Sequence, residues 1–162
     1  MIVVADTSVI LNLALVGQAD LLATVFGEVL VPPAVESEFT RLAASTGRFA
    51  GLRLPNWVEI REPKSIAPAI TRHTELHPGE SEALALALEI HADGVLIDEA
   101  AGRAVALELG LTPIGVLGIL VRAKRHGQLS AVGPLIDALL EGAQFRAAPE
   151  LVREVLRLAG EA

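Results

Sequence analysis

The sequence predicts an α/β fold built on a parallel sheet, and two apolar segments indicate this most directly. Ile2–Ala5 and Gly94–Ile97 are short apolar runs without polar alternation, which is typical of parallel strands covered on both faces. Each run leads directly into an acid, Asp6 in the first case and Asp98 in the second. Because ligands bind beyond the carboxyl ends of the strands in such sheets, the two acids predict an acidic pocket suited to a divalent metal.

Strands alternate with helices in the first half of the chain, as in α/β proteins. A helix follows Asp6 and ends at the polar turn Gly17–Asp20, and a second short helix precedes another apolar strand. Pro33 suits the first turn of the next helix, and the polar stretch that follows it is expected to be a loop. The elements expected here are strands at residues 2–5, 28–31 and 57–60, and helices at residues 7–15, 21–26 and 34–44.

The second half continues the same alternation. The alanine- and leucine-rich segment at residues 78–91 is the clearest helix in the chain. Pro113 cannot donate a hydrogen bond to a neighbouring strand, so the strand that contains it is expected at a sheet edge. The elements expected here are strands at residues 94–97 and 112–114, and helices at residues 78–91, 99–109, 116–125, 131–141 and 150–159.

Composition excludes several classes of protein. At 162 residues, the chain fits one domain that buries roughly two-thirds of its unfolded surface. No apolar run approaches the ~20 residues that span a bilayer, and no basic region precedes the first strand, so neither a membrane segment nor a secretory signal is expected. The absence of cysteine excludes disulfides and agrees with a cytoplasmic location. The net charge of -7 argues against a broad basic surface for nucleic acid, although a local basic rim or bound cations can reverse the field in one cleft.

Two further acids lie beside the apolar faces of predicted helices. Glu38 is adjacent to the seam formed by Val35 and Phe39, and Glu80 ends a core-facing stripe that continues through Leu84. A buried acid is costly unless it is paired, protonated or bound to metal. Each acid alone has a simpler explanation, such as a helix cap or the ~0.3–1 kcal/mol gained at a helix N-terminus. The combination of four such acids is what predicts a site.

Four acidic motifs resemble those of PIN domains. They are Val4-Ala5-Asp6-Thr7-Ser8, Val31-Pro32-Pro33-Ala34-Val35-Glu36-Ser37-Glu38, Pro78-Gly79-Glu80-Ser81-Glu82-Ala83 and Leu96-Ile97-Asp98-Glu99. Gly102-Arg103-Ala104 and the glycine-rich stretch at residues 110–118 are similar to small prokaryotic PIN proteins related to VapC-type toxins. The resemblance covers nearly the whole chain. We therefore expect a PIN-like domain at residues 1–146 and, at residues 147–162, a C-terminal helix that packs on the domain or on a partner.

The resemblance implies a three-layer α/β/α sandwich around a parallel, Rossmannoid sheet, and it implies metal-dependent cleavage of RNA. The acidic cluster that it implies, as both catalytic residues and metal ligands, consists of Asp6, Glu38, Glu80 and Asp98. Glu82 is an alternative third acid, and Glu80 is preferred because its separation from Asp98 is similar to that in other PIN domains.

Three further residues are implied to support this cluster. Ser8 matches a hydroxyl that many PIN domains keep near the first aspartate, where it can hold a ligand or a water. Glu99 can substitute for Asp98 or assist it. Arg103 can contact a phosphate or pair with the acids, and the sequence does not decide between these roles.

The chemistry fits this set of residues. Hydrolysis of a phosphodiester needs a nucleophilic water and stabilisation of developing charge, and one or two Mg²⁺ or Mn²⁺ ions supply both. Mg²⁺ prefers oxygen ligands and keeps several waters, so a few carboxylates suffice. Without metal, the clustered carboxylates repel one another, and at least one is expected to have a raised pKa.

The partners expected from the resemblance are an RNA substrate, a small antitoxin protein and a second copy of the chain in a homodimer. The broad apolar face of the last helix is consistent with packing on the core or on another copy. Arg122–His126 is the only dense basic run, and it either flanks an RNA path or simply complements a helix C-terminus.

Other functions have less support. A non-catalytic PIN-like module that binds RNA or protein is the main alternative, and it predicts no metal-dependent cleavage. A phospho-receiver domain needs a second acid just before Asp6 and a lysine after the last strand, and neither is present. His73 and His77 are spaced as a helical metal pair, but Pro78 follows directly and makes that helix improbable. No glycine-rich nucleotide-binding motif is found.

Overall fold

A parallel sheet of five strands forms the centre of the protein, in the order β3-β2-β1-β4-β5. The structure, a computed structural model, describes residues 1–162. The strands are β1 (Ile2–Ala5), β2 (Glu28–Val31), β3 (Glu59–Ile60), β4 (Gly94–Leu96) and β5 (Pro113–Ile114). All four pairings are parallel. The predicted α/β fold is therefore confirmed, and Pro113 does lie on an edge strand.

Nine helices surround the sheet. They are α1 (Thr7–Leu15), α2 (Leu21–Phe26), α3 (Pro33–Ala43), α4 (Pro68–Thr71), α5 (Pro78–Glu89), α6 (Ala100–Glu108), α7 (Val116–Arg125), α8 (Gly133–Gly142) and α9 (Pro149–Leu158). The sequence did not predict α4, which is a single turn with only Ile70 buried. Strand β3 is also shorter than expected, because its two residues lie exposed at the sheet edge. None of the helices combines the length and apolar character that a membrane crossing requires.

The sheet has a hydrophobic core on each face, which makes the protein a three-layer α/β/α sandwich. Val3 and Ala5 of β1 belong to a cluster of 27 buried residues. Val4, which points the other way, belongs to a cluster of 12 buried residues that includes much of α5. This two-sided burial explains why β1 lacks polar alternation.

Strands β1 and β4 are neighbours at the centre of the sheet, and their register determines where the acids fall. Ala5 is paired with Leu96, and the backbone N–H of Asp6 donates to the carbonyl of Leu96 at 2.8 Å. The chain segments that carry Asp6 and Asp98 therefore leave the same edge of the sheet side by side.

The C-terminal helix α9 packs against α7. Val155 and Ala159 are buried in the larger core. Beyond the helix, the Glu161 carboxylate accepts hydrogen bonds from Lys124 Nζ at 2.8 Å and from the backbone N–H groups of Val132 and Gly133 at 2.7 and 2.9 Å. These bonds attach the end of the chain to α7 and to the start of α8.

Candidate active site

Asp6 lies at the carboxyl end of β1 and is only 5 % exposed. It occupies the N-cap position of α1, yet its side chain makes no capping hydrogen bond. Helix capping therefore does not account for this acid. Burial raises the pKa of Asp6 from 3.8 to about 7, and the negative charges of Glu80, Glu38 and Glu99 add to this effect, while the Thr7 backbone N–H opposes it.

Glu38 of α3 and Asp6 of β1 meet beside Gly79, at the start of α5. A side-chain carbon added at Gly79 would lie 3.3 Å from Glu38 Oε2 and 3.4 Å from Asp6 Oδ1. The two carboxylates thus face one point, and a side chain at Gly79 would crowd both of them. Val35 and Phe39 on either side of Glu38 are buried as predicted, and Glu38 itself is half-buried.

Glu80 lies in the first turn of α5 and is 3 % exposed. Its Oε1 accepts a hydrogen bond from the backbone N–H of His77 at 2.9 Å, whereas its Oε2 is buried without a partner. Burial raises the pKa of Glu80, and the charges of Glu99 and Glu38 add to the effect, although the His77 N–H and ring oppose it. The unpartnered oxygen indicates that the fold alone does not satisfy this carboxylate.

Glu82, the alternative to Glu80, performs a different task. Its Oε1 accepts a hydrogen bond from the backbone N–H of Ala34 at 3.3 Å, which joins α5 to the first turn of α3. Glu82 is not among the charges that act on Asp6 or Glu80. This geometry favours Glu80 as the acid that faces the site.

Asp98 follows β4 and is held by the first turn of α7. Its two oxygens lie 3.2 and 3.4 Å from the backbone nitrogen of Val116, which donates to them. A side-chain carbon at Gly115 would lie 2.5 Å from Asp98 Oδ1 and 3.1 Å from Arg103 Nη1. Burial raises the pKa of Asp98, the Val116 N–H and the Arg103 charge lower it in part, and Glu99 raises it further.

The structure brings three of the four expected acids together most closely. The charges of Glu80 and Glu38 add to the raised pKa of Asp6, the charge of Glu38 adds to that of Glu80, and the further acid that acts on both is Glu99, not Asp98. The charge of Glu99 also raises the pKa of Asp98. Glu99, which the resemblance implied as a substitute for Asp98 or an assistant to it, is therefore the acid whose charge acts on Asp6, Glu80 and Asp98.

Arg103 and Ser8 also lie at this edge. Arg103 Nη1 donates to the carbonyl of Ile97 at 3.0 Å, which holds its guanidinium beside Asp98. The Ser8 hydroxyl oxygen is buried without a hydrogen-bond partner. Both side chains line the same cleft as the acids.

That cleft has a volume of about 790 Å³ and opens at the carboxyl edge of the sheet. Its lining includes three acids, Glu38, Asp98 and Glu99, and four arginines, Arg48, Arg103, Arg122 and Arg146. Asn12, one turn beyond Ser8 on α1, lines it as well. In the sequence, Asn12 could have been identified as a cleft residue only because it lies four positions after Ser8 and therefore on the same face of the helix. Arg48 and Arg146 lie in loops, where no periodicity marks them.

The chemistry of the residues present fits an oxygen-preferring divalent cation, although no group of three acidic or histidine side chains is arranged so that it could hold a metal ion. Glu80 Oε2 and the Ser8 hydroxyl are buried and unpartnered, and the space beside Gly79 is flanked by oxygens of Asp6 and Glu38. Carboxylate oxygens are the ligands that Mg²⁺ and Mn²⁺ prefer. A cation would offset both the burial and the neighbouring negative charges that raise the pKa of Asp6.

Comparison with known proteins agrees with the fold. A family model described as a PIN domain matches residues 2–161. No curated protein and no solved structure matches the chain.

Proposed function

Because the chain belongs to the PIN-domain family, whose fold is of the nuclease type, we propose that it is a metal-dependent endoribonuclease. It hydrolyses RNA phosphodiester bonds with Mg²⁺ or Mn²⁺. The observation that carries this proposal is the meeting of Asp6, Glu38 and Glu80, from three distant segments, at one edge of the sheet.

Stability does not explain this meeting of acids. Desolvation and like charge both disfavour the ionised forms, and the result is a pKa of about 7 for Asp6. Folded proteins accept such a cost mainly where a charge or a ligand is needed. Asp98, a further acid at the same edge, also has a raised pKa.

The roles of the side chains follow from their burial. A divalent cation bound here supplies a nucleophilic water near neutral pH and neutralises charge on the phosphate. Asp6 and Glu80, which are buried, would hold it, and Glu80 Oε2 is free to do so. Glu38, half-buried at the cleft surface, orients the attacking water and accepts its proton.

The other side of the reaction involves the residues near α7. Arg103 is fixed by the Ile97 carbonyl and faces the cleft, where its guanidinium contacts a phosphate oxygen. Asp98, held by the Val116 N–H, lies beside that arginine and completes the acidic set. The Ser8 hydroxyl, free of protein partners, holds a water or a substrate oxygen.

The proposal is tested by incubating labelled RNA with the purified protein and Mg²⁺ or Mn²⁺. We expect cleavage that EDTA stops and that Asp6→Asn abolishes while the fold, followed by circular dichroism, is retained. Glu36→Gln is the matched control, because Glu36 lies exposed on the same helix as Glu38. Cleavage that is absent with both metals, or unchanged in Asp6→Asn, would overturn the proposal.

We further propose that the protein is the toxin of a type II toxin–antitoxin pair. The resemblance of Gly102-Arg103-Ala104 and residues 110–118 to VapC-type toxins supports this, and the cleft offers a small partner protein access to Glu38, Asp98 and Glu99. Expression should arrest growth, and co-expression of a small protein encoded next to this gene should relieve the arrest. Growth arrest that persists in Asp6→Asn would contradict the toxin role.

A homodimer is proposed on the basis of exposed leucines near the C-terminus. Leu151 and Leu158 of α9 are 50 % and 40 % exposed, and Leu140 of α8 is 37 % exposed. Light scattering after size-exclusion chromatography should give twice the mass of 17.0 kDa.

The second candidate function is a module that binds RNA or protein without cleaving it. Two observations favour it. No group of three acidic or histidine side chains is arranged to hold a metal ion, and Asp98 already accepts a hydrogen bond from the Val116 N–H. It predicts RNA binding that is independent of metal and is not weakened by Asp6→Asn or Asp98→Asn. The cleavage assay above separates the two candidates.

A further inference from the structure

One side of the cleft is formed by two loops that each carry an arginine next to a phenylalanine. Arg48 and Phe49 follow α3, and Phe145 and Arg146 follow α8; all four side chains line the cleft. The Arg48 guanidinium carbon lies 4.5 Å from the centroid of the Phe49 ring, and Arg48 Nη1 donates to Gln144 Oε1 at 3.4 Å. These contacts join the two loops into one surface, which we call the aromatic wall.

The aromatic wall concentrates a scarce residue type. The chain has four phenylalanines, one tryptophan and no tyrosine, and two of those phenylalanines lie in this one cleft. Phe49 and Phe145 are only partly buried against the core. Each ring therefore packs partly on the protein, and the Arg48 guanidinium lies over the Phe49 ring, so that the two groups form one planar surface.

The arginines of the cleft are free of ion pairs. Elsewhere on the surface, Arg61, Arg72, Arg153 and Arg157 pair with glutamates, whereas Arg41, Arg53 and Arg125 do not. Arg48, Arg103, Arg122 and Arg146 make no such pair, although the chain carries a net charge of -7. Their guanidinium groups remain available to an anionic ligand, and guanidinium pairs well with phosphate oxygens.

We propose that the aromatic wall binds one unpaired nucleobase of the RNA beside the phosphate that is cleaved, and that Arg48 and Phe49 stack on this base. This inference rests on the proposed ribonuclease function. Planar guanidinium and phenyl groups stack on bases, and a base can use such a surface only when it is unpaired. Arg122 and Arg146, which line the same cleft, hold the flanking phosphates.

The test is an abasic scan of a short labelled RNA. Binding to the Asp6→Asn protein is measured by fluorescence anisotropy, with the base removed from one nucleotide at a time. We expect one position at which loss of the base weakens binding about tenfold or more, as the loss of one stacked base does. In the Phe49→Leu variant, overall binding falls by a similar factor and that one position loses its effect.

Three variants distinguish the loss of base stacking from a loss of folding and from a loss of positive charge. Phe49→Leu keeps an apolar side chain against the core, and its fold is checked by thermal unfolding. Arg48→Lys keeps the charge but not the planar group, so it should reproduce the Phe49→Leu result with an unchanged salt dependence. Arg53→Ala removes an exposed arginine from the same loop but outside the cleft, and it should leave the scan unaltered.

The two proposals fail in different ways. Suppose that the wild-type protein cleaves RNA but that Phe49→Leu and Arg48→Lys keep the full position dependence of the scan. The aromatic wall then does not bind a base, and this inference is wrong. Equal weakening at every position would also overturn it. If the protein neither cleaves nor binds RNA, the ribonuclease function fails first.

Discussion

Asp6 and Glu38 direct carboxylate oxygens at the same point beside Gly79, within 3.4 Å of where a side-chain carbon would lie. The two acids come from a strand and a helix that are separated by another strand along the chain. Their approach depends on a residue without a side chain at the start of a third element. The geometry of the candidate site is therefore determined as much by Gly79 as by the acids.

Gly79→Ala should lower cleavage activity at least tenfold and weaken Mn²⁺ binding. The added methyl group would occupy the space between the two carboxylates, while an alanine in the first turn of a helix costs the fold little. Calorimetric titration with Mn²⁺ and a thermal unfolding curve measure the two effects separately. Gly142→Ala is the control, since a side-chain carbon there meets nothing within 4 Å. Unchanged Mn²⁺ affinity in Gly79→Ala would be inconsistent with a cation between Asp6 and Glu38.

Glu80→Gln and Glu82→Gln should affect the protein in opposite ways. Glu80→Gln is expected to reduce activity about a hundredfold or more and to keep the metal-free fold, because it removes a buried charge whose Oε2 has no partner. Glu82→Gln should keep activity and cost about 0.5–1.5 kcal/mol of unfolding free energy, because its bond to the Ala34 N–H becomes weaker. Single-turnover cleavage and urea unfolding of both variants provide the comparison. If Glu82→Gln proved the inactive variant, the assignment of the third acid would have to be exchanged.

The stability of the metal-free protein should fall as pH rises from about 4 to 7. The pKa of Asp6 is raised from 3.8 to about 7 in the folded protein, so the folded state keeps a proton that the unfolded chain releases over this interval. Melting temperatures measured in EDTA across this range should show the decline, and Asp6→Asn should reduce it. Added Mn²⁺ should reverse the trend, because the cation binds the ionised carboxylate and competes with the proton.

The attachment made by Glu161 should be lost in acid. Lys124 and the N–H groups of Val132 and Gly133 lower the pKa of Glu161 from 4.5 to about 2. Its stabilising effect is therefore complete above pH 4.5 and disappears as pH falls towards 2. Glu161→Gln should lower the melting temperature at pH 7 and lose most of that difference near pH 2. Glu154→Gln, which removes an exposed ion pair with Arg157, should change the melting temperature little.

Much of the fold followed from the sequence because its signals are local. The apolar runs that form β1 and β4 identified the central strands, and Pro113 identified an edge. Helix α4 escaped prediction because one turn is too short to show periodicity. The extent of β3 was overestimated because alternation in Trp57–Ile60 continues beyond the two residues that pair with β2.

The site was less accessible to sequence reasoning, for a geometric reason. Asp98 and Glu99 are adjacent, so their side chains leave the backbone in different directions, and only the fold shows that Glu99 is the one that acts on Asp6 and Glu80. The aromatic wall joins loops that are nearly a hundred residues apart, connected by Arg48 and Gln144. No spacing rule relates such positions.

The glycines around the acids have a consequence for how this protein tolerates mutation. A side-chain carbon at Gly102 would lie 2.8 Å from Glu80 Oε2, and one at Gly115 would lie 2.5 Å from Asp98 Oδ1. A saturation screen for lost activity should therefore mark Gly79, Gly102 and Gly115 as intolerant, although none of them carries a chemical group. In relatives of this protein, a side chain at any of these three positions should mark an inactive member as reliably as the loss of one of the acids does.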